Sequence, residues 1–189
     1  RDLVRSRGLG DVYKRQDLYR AAKAVSMDNQ VPISFEDIKK ESTNGYYSPD
    51  ENRIVISKGL KGQEHILKTI FHEMAHSDLH RGTNAQYGDD QYRKQELQAE
   101  SVAYVVANHY GMDTSSYSFA YLANWSKEPD SLADLEAQLA VVQQEAKDLI
   151  QRLDTAFEKY QSKEVSKDPL SQKLEEFNQK CQKKLKEKE

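Results

Sequence analysis

The chain has 189 residues, 37% of them hydrophobic and 31% charged, which is typical of one soluble domain with additional segments. Its apolar runs are far shorter than the roughly 18 residues that a membrane-spanning helix needs, so an integral membrane protein is excluded. The single cysteine, Cys181, excludes an internal disulfide and a thiolate metal site, and a reducing, cytoplasmic location is expected. The net charge of -3 gives no reason to expect nucleic-acid binding by this segment.

Residues 1–16 differ in character from the rest of the chain. Their sequence, RDLVRSRGLGDVYKRQ, resembles translated sequencing-adapter read-through of the kind found at the ends of open reading frames. We expect this segment to be an artefact, disordered and outside the fold, with an ordinary basic arm as the alternative. On that interpretation the natural residues before Asp17 are missing, and they could include a whole domain.

A short helix and a hairpin are predicted in the first third of the chain. The segment 17–27 has apolar residues at helical spacing, and the Val-Pro-Ile sequence at 31–33 ends this helix and begins a linker. Further along, 45–47 and 53–56 are rich in apolar and aromatic residues and flank a polar turn, which predicts an antiparallel β-hairpin. We expect the second strand of this hairpin to be an edge to which an extended peptide could pair.

Two helices are predicted in the middle of the chain. From residue 63 to residue 80 the apolar residues form a wide stripe at helical spacing, which is typical of a helix that is buried on most sides. The segment 81–90 is polar and contains two glycines, which predicts a loop. A second helix is predicted over 92–110, with Gly111 as its C-terminal cap.

One long amphipathic helix is predicted over 131–165. Apolar residues recur there at alternating steps of three and four residues, from Leu132 to Tyr160. The helix could pack on its own domain or form a coiled coil with a partner, and the sequence leaves the oligomeric state open. The remaining residues, 166–189, form a Lys-rich tail that we expect to be solvated.

The most informative sequence is HEMAH at 72–76, an HExxH motif within the predicted buried helix. Positions i and i+4 of a helix lie on one face, so the imidazoles of His72 and His76 can reach one metal ion. Glu73 lies beside that face, where it can act as the general base toward a water activated by zinc. HExxH also occurs by chance, and a pair of structural histidines is the alternative.

A third metal ligand is needed from another element, because zinc hydrolases bind the metal through three protein ligands and leave the fourth position to water. The second helix offers Glu96 and Glu100, which are four residues apart on one face. One carboxylate can bind the metal, and the other can accept the free N–H of a ligand histidine and so orient its ring. Spacing alone does not decide which carboxylate does which.

Several blocks of sequence, among them IFHEMAH, AESVAYVV and DTSSYSFAYLANW, resemble the zincin domain of the ArdC/LtrC-like proteins, relatives of the ImmA/IrrE metallopeptidases. The resemblance covers about 45–150. It implies an α+β, mostly helical domain of the glutamate-type zincins over 17–130, with a small antiparallel sheet, a long C-terminal helix and a bound Zn2+ ion. The E-x-x-A-E pattern then implies that Glu96 is the third metal ligand and that Glu100 orients a ligand histidine.

Proteins of that family occur on plasmids, conjugative elements and phages. Many of them carry an N-terminal domain that binds single-stranded DNA and is linked to antirestriction. No part of this chain resembles that domain, so we expect no nucleic-acid partner for this segment and no membrane partner. The implied partner is a peptide or protein substrate.

The segment 113–125 is rich in hydroxyl and aromatic side chains. In zincins a tyrosine or histidine near the metal often donates a hydrogen bond to the oxyanion that forms as water attacks the amide. Tyr117 and Tyr121 are the candidates, and packing of their rings in the core is the alternative. We expect His80 and His109, which follow the metal-binding residues on their helices, to lie beside those residues or at the surface.

The sequence therefore predicts a zinc-dependent metalloendopeptidase of a mobile-element protein, in which Glu73 passes a proton from the attacking water to the leaving amine. A non-catalytic zincin fold, kept as a protein-binding or metal-sensing module, is the alternative. An intact Glu73 favours the enzyme, since a binding module has no need of a general base. The sequence does not predict the cleavage specificity.

Overall fold

The structure is a computed structural model that describes residues 9–39, 43–83, 85–86, 89–117 and 131–165. These residues form four helices and one three-stranded sheet, which confirms the predicted α+β class. None of the helices in the described ranges combines the length and the apolar character needed to cross a membrane. The elements, in chain order, are α1 (Leu9–Asp28), β1 (Ile33–Glu36), β2 (Gly45–Ser48), β3 (Arg53–Ser57), α2 (Gln63–Leu79), α3 (Asp90–His109) and α4 (Ser131–Val165).

The sheet has the order β1-β3-β2 and is mixed rather than wholly antiparallel. β2 and β3 form the predicted hairpin, with Tyr46 opposite Val55. On the other side of β3, β1 pairs in parallel and sets Ser34 opposite Val55. The sequence predicts a linker after the first helix, and this prediction is wrong for residues 33–36. They form a strand because they pair with β3, about twenty residues further along the chain.

The central position of β3 corrects a second prediction. Both sides of its backbone are paired, so β3 has no free edge for an extended peptide. β2 pairs with β3 on one side only within the described part of the chain. A peptide that adds to the sheet beside the hairpin would therefore pair with β2.

Helix α1 begins at Leu9, so the prediction that residues 1–16 are disordered is wrong from that residue onward. Nη1 of Arg15 donates to the carbonyl oxygen of Tyr110 at 2.8 Å, and Nη2 lies 3.3 Å from a carboxylate oxygen of Glu64. A cation at the C-terminal end of α3 satisfies carbonyl groups that the helix itself leaves unpaired. That this segment derives from an adapter is not tested by the structure and stays a prediction.

Helices α2 and α3 pack side by side, and the predictions for both are confirmed to within two residues at each end. The buried side chains of α2 include Leu67, Ile70 and Phe71. At the end of α3, Gly111 has φ 65°, and the next amide donates to the carbonyl of Ala107 at 3.0 Å. This is the glycine cap that the sequence predicts, since a left-handed residue after a helix is usually glycine.

The long helix α4 packs on α1 and α3 of its own chain. Its four most buried side chains are those of Val142, Ala146, Leu149 and Leu153, which follow the apolar spacing of the sequence. Leu139, on the same repeat, is 48% exposed. The part of the stripe from Val142 to Leu153 therefore lies in the core of the domain.

A polar cluster joins α4 to α2. Nη2 of Arg152 lies 2.7 Å from a carboxylate oxygen of Asp78 and 3.2 Å from one of Glu145, and its Nε lies 2.8 Å from Asp148. One guanidinium thus faces three carboxylates. Burial, together with the charge of Asp78 and a hydrogen bond to it, raises the pKa of Glu145 to about 8.

Glu145→Gln should remove the part of the pH dependence of stability that comes from the raised pKa of Glu145. In the folded chain Glu145 keeps its proton up to about pH 8, whereas its ordinary pKa is 4.5. The free energy of unfolding of the wild type should therefore fall as the pH rises from about 4.5 to about 8, by at most about 1.4 kcal/mol per unit. Urea unfolding across this range measures the fall. Glu136→Gln, on an exposed part of α4, is the control and should behave like the wild type. If the free energy of unfolding of Glu145→Gln falls with pH as much as that of the wild type, the prediction is wrong.

Candidate metal centre and active site

The two histidines of the HExxH motif meet on one side of α2. Because they are four residues apart on a helix, their side chains project in the same direction. Nε2 of His72 lies 3.1 Å from Nε2 of His76. Both imidazoles are largely buried, with 19% and 15% of their side chains exposed.

Glu96 of α3 completes the cluster. One carboxylate oxygen lies 3.3 Å from Nε2 of His76, and the other lies 3.6 Å from Nε2 of His72. Donor atoms that bind one tetrahedral zinc ion at about 2.0–2.1 Å are about 3.3 Å from one another. The distance between the two Nε2 atoms and the distance from His76 to the nearer Glu96 oxygen match this value, and one donor atom from each residue lies within 4.8 Å of the other two. The cluster can therefore hold a zinc ion through three protein ligands.

The acidic and imidazole side chains of the cluster shift one another's pKa values toward the charged forms. Burial alone would raise the pKa of Glu96, but its contact with His76 and the charges of both histidines lower it, as does a hydrogen bond from the Tyr92 side chain. Burial alone would lower the pKa of His72, but Glu100, Glu73 and Glu96 together raise it. A site with this excess of carboxylate over cationic charge favours a bound cation.

Glu73 lies next to the two histidines and is only 6% exposed. Burial raises the pKa of its carboxyl, and the charge of Glu96 acts in the same direction. The backbone amide of Tyr47 on β2 donates a hydrogen bond to it, which favours the ionised form. The charges of His72 and His76 also favour the ionised form. Such opposed effects on one carboxyl are typical of general acid–base residues in active sites.

Glu100 lies one turn beyond Glu96, and its carboxylate oxygen is 3.3 Å from Nδ1 of His72. Nδ1 is the ring nitrogen that does not face the cluster. The structure thus places Glu96 among the candidate metal ligands and Glu100 behind one of them, which is the arrangement that the resemblance implies.

His80 lies behind the other histidine and is 6% exposed. Its Nδ1 is 2.8 Å from Nδ1 of His76, and its Nε2 is 2.7 Å from Oε1 of Gln98. Burial lowers the pKa of His80 to about 4, so its ring is neutral near pH 7. Of the two places that the sequence leaves open for His80, the structure shows the one beside the candidate metal ligands, whereas His109 lies 3.3 Å from Asp154 and is half exposed.

The cluster lies in a cleft of about 760 Å3, between β2, α2 and α3. β2 approaches α2 so closely that a Cβ atom at Gly45 would lie 2.9 Å from the Thr69 side chain and 2.9 Å from the Val55 carbonyl oxygen. Glycine at this position therefore lets the strand line the cleft close to α2, which carries two of the candidate metal ligands.

Tyr117 forms part of the wall of the cleft. Its hydroxyl is buried and has no hydrogen-bond partner among the described residues. Burial, and secondarily the charge of Glu100, raises its pKa, so the hydroxyl keeps its proton. A buried donor without a partner is costly unless a ligand accepts its hydrogen bond. Tyr121, the other candidate, lies outside the described residues.

Three residues that support the site are not found by sequence reasoning. They are Tyr92, whose side chain binds Glu96; Tyr47, whose amide binds Glu73; and Gln98, which binds His80. Tyr92 lies four residues before Glu96 on α3, and this spacing could have indicated it. The other two contacts join different elements and leave no pattern in the sequence.

Comparisons with known proteins agree with this geometry. Residues 26–131 match the family of zincin-like metallopeptidases called MPTase-PolyVal. An uncharacterized protein of Bacillus anthracis is 33% identical over 88 residues, an alignment that covers 47% of this chain and 15% of that protein. The chain therefore corresponds to a small part of that relative. No solved structure matches the chain.

Proposed function

The chain belongs to the zincin-like metallopeptidases, and from this premise we propose that it is a zinc-dependent endopeptidase. The observation that carries the proposal is the convergence of His72, His76 and Glu96 at the separations of a tetrahedral site, beside the buried carboxyl of Glu73. A metal-binding protein without peptidase activity would need the three ligands but would not need Glu73.

The chemistry follows from the positions of these residues. When bound, zinc supplies a Lewis acid that polarises a carbonyl group and makes water more acidic. Glu73 takes a proton from the attacking water and gives it to the nitrogen of the leaving amine. The amide of Tyr47 holds the Glu73 carboxylate in place during both transfers.

Tyr117 is the proposed donor to the oxyanion of the tetrahedral intermediate. Its unpartnered hydroxyl and its place in the cleft wall support this role. Tyr117→Phe should lower kcat by about 10²-fold, the usual cost of removing one such donor, and should leave zinc binding unchanged. Steady-state kinetics on a cleaved peptide measure the effect. An unchanged kcat would contradict the proposed role and would favour the alternative, in which the Tyr117 ring only packs in the core.

The proposed substrate is an extended peptide or a protein segment. β2 lines the cleft and, within the described residues, pairs on one side only. An extended chain bound along its free side would form backbone hydrogen bonds and would pass over the metal centre. The side chain of Tyr46 is 37% exposed on this strand and is available to contact such a chain.

The resemblance to the ArdC/LtrC-like proteins supports a finer proposal, in which this peptidase is part of a cytoplasmic protein of a mobile element with an antirestriction role. Substrate recognition by this segment then involves peptide and no nucleic acid. Retardation of single-stranded DNA by the purified chain in an electrophoretic assay would contradict the last point.

Metal analysis tests the proposed site directly. The purified wild type should contain about one equivalent of zinc per chain, and His76→Ala should lose it, because two protein ligands hold zinc poorly. His109→Ala, at a half-exposed histidine outside the cluster, is the matched control and should retain the metal. Equal zinc content in all three proteins would place the metal elsewhere.

A further inference from the structure

Polar side chains connect the metal-binding histidines to α4, and the proposed function does not explain them. Nδ1 of His76 lies 2.8 Å from Nδ1 of His80, whose Nε2 lies 2.7 Å from Oε1 of Gln98. The Gln98 amide donates to Oε1 of Gln138. The Gln138 amide in turn donates to Oδ1 of Asp134 at 3.0 Å. We refer to His80, Gln98, Gln138 and Asp134 as the α4 network.

The direction of these hydrogen bonds is fixed at the α4 end. Both carboxylate oxygens of Asp134 are bound by Nζ of Lys94, at 3.0 Å and 2.9 Å. A carboxylate accepts hydrogen bonds and does not donate them. Gln138 must therefore turn its NH2 group toward Asp134 and its carbonyl oxygen toward Gln98. The NH2 group of Gln98 then points toward Gln138, and its carbonyl oxygen points toward His80.

This direction decides the tautomers of two histidines. Oε1 of Gln98 only accepts, so Nε2 of His80 carries the proton and Nδ1 carries the lone pair. Nδ1 of His80 then accepts a hydrogen bond from Nδ1–H of His76. With its proton on Nδ1, His76 presents the lone pair of Nε2, and Nε2 is the atom that faces His72 and Glu96.

We propose that the α4 network holds His76 in the tautomer and ring orientation that bind the metal. Its members are positioning residues, and the proposal rests on the proposed metal site. The same task is performed for His72 by direct contact with Glu100. Gln138 and Asp134 lie beyond 26–131, so the family match does not include the part of α4 that completes the metal centre.

Nuclear magnetic resonance of the metal-free protein tests the proposal without activity. Long-range 1H–15N spectra of the histidine rings should show the Nδ1–H tautomer for His76 in the wild type. Gln138→Leu should give a mixture of the two tautomers. Gln143→Leu, on an exposed part of the same helix, is the control and should match the wild type. Zinc affinity, measured by chelator competition, should fall about tenfold in Gln138→Leu only.

A rescue variant separates positioning from packing. Gln98→Glu places a carboxylate at Nε2 of His80 and so fixes both tautomers without help from α4. Introduced into the Gln138→Leu protein, it should restore the Nδ1–H tautomer of His76. If Gln138→Leu does not fold, Asp134→Asn takes its place, because an amide at that position no longer fixes the direction of the hydrogen bonds.

Two results would overturn the proposal. One is a Gln138→Leu protein whose His76 tautomer and zinc affinity equal those of Gln143→Leu. The other is a wild type in which His76 is protonated at Nε2. A wild type that binds no zinc would instead overturn the proposed function, and the tautomers of the metal-free protein would still decide whether the α4 network orients His76.

Discussion

Glu73→Gln should retain its fold and its zinc and lose peptide hydrolysis. The amide has nearly the shape of the carboxylate but cannot take a proton from water, and a positioned general base contributes about 10²- to 10⁴-fold to such reactions. We therefore expect kcat to fall by that factor, while zinc content and melting temperature stay close to the wild-type values. Hydrolysis of a peptide library of mixed sequence, followed by mass spectrometry, measures turnover at whichever bond the enzyme cleaves.

The burial of Glu73 requires a control for stability. Its carboxyl is 6% exposed and bound by the Tyr47 amide, and the variant replaces it with an amide that still has an oxygen acceptor for that hydrogen bond. Ser77→Ala, at another buried polar residue of α2, shows how far a neighbouring substitution alone affects turnover. Wild-type turnover in Glu73→Gln would remove this residue from the mechanism, and no turnover in the wild type on any peptide would favour a non-catalytic module.

Glu96→Ala should weaken zinc binding far more than Glu100→Ala. Glu96 lies 3.3 Å and 3.6 Å from the ring nitrogens that face the cluster, so its removal takes away one of three protein donors. Glu100 contacts Nδ1 of His72, the ring nitrogen that does not face the cluster, and the loss of such an orienting carboxylate typically costs about 10- to 100-fold in affinity. Chelator competition on both variants measures the order.

The two variants control for each other, because both remove a glutamate side chain from the same face of α3. A spectrum of the cobalt-substituted protein adds an independent measurement, since loss of a ligand changes the coordination geometry and loss of an orienting residue changes it little. A larger loss from Glu100→Ala than from Glu96→Ala would reverse the two roles and would leave the metal centre itself in place.

The sequence by itself determined the features that depend on neighbours along the chain. The wide apolar stripe predicts α2, and helical spacing alone brings His72 and His76 to one face of it. The same rule sets Glu96 and Glu100 on one face of α3. Gly111 marks the end of that helix because its left-handed backbone suits glycine best. Each of these predictions needs only the geometry of one helix.

Only the tertiary structure decided which groups meet across elements. Helical spacing puts two glutamates on one face, but the packing of α3 on α2 decides that Glu96 faces the nitrogens of the cluster and Glu100 lies behind them. The parallel pairing of β1 is of the same kind, because a strand of four residues has too little pattern to predict a partner at a distance.

The contacts from His80 through Gln98 to α4 are the clearest case of this difference. Periodicity indicates which face of a helix is buried, but a hydrogen bond between uncharged side chains requires two atoms within about 3 Å in a suitable orientation. Three helices must pack in one arrangement to satisfy that condition at every step from His76 to Asp134. The sequence therefore determined the helices and the face that carries the candidate metal ligands, and the packing of α2, α3 and α4 decided what supports that face.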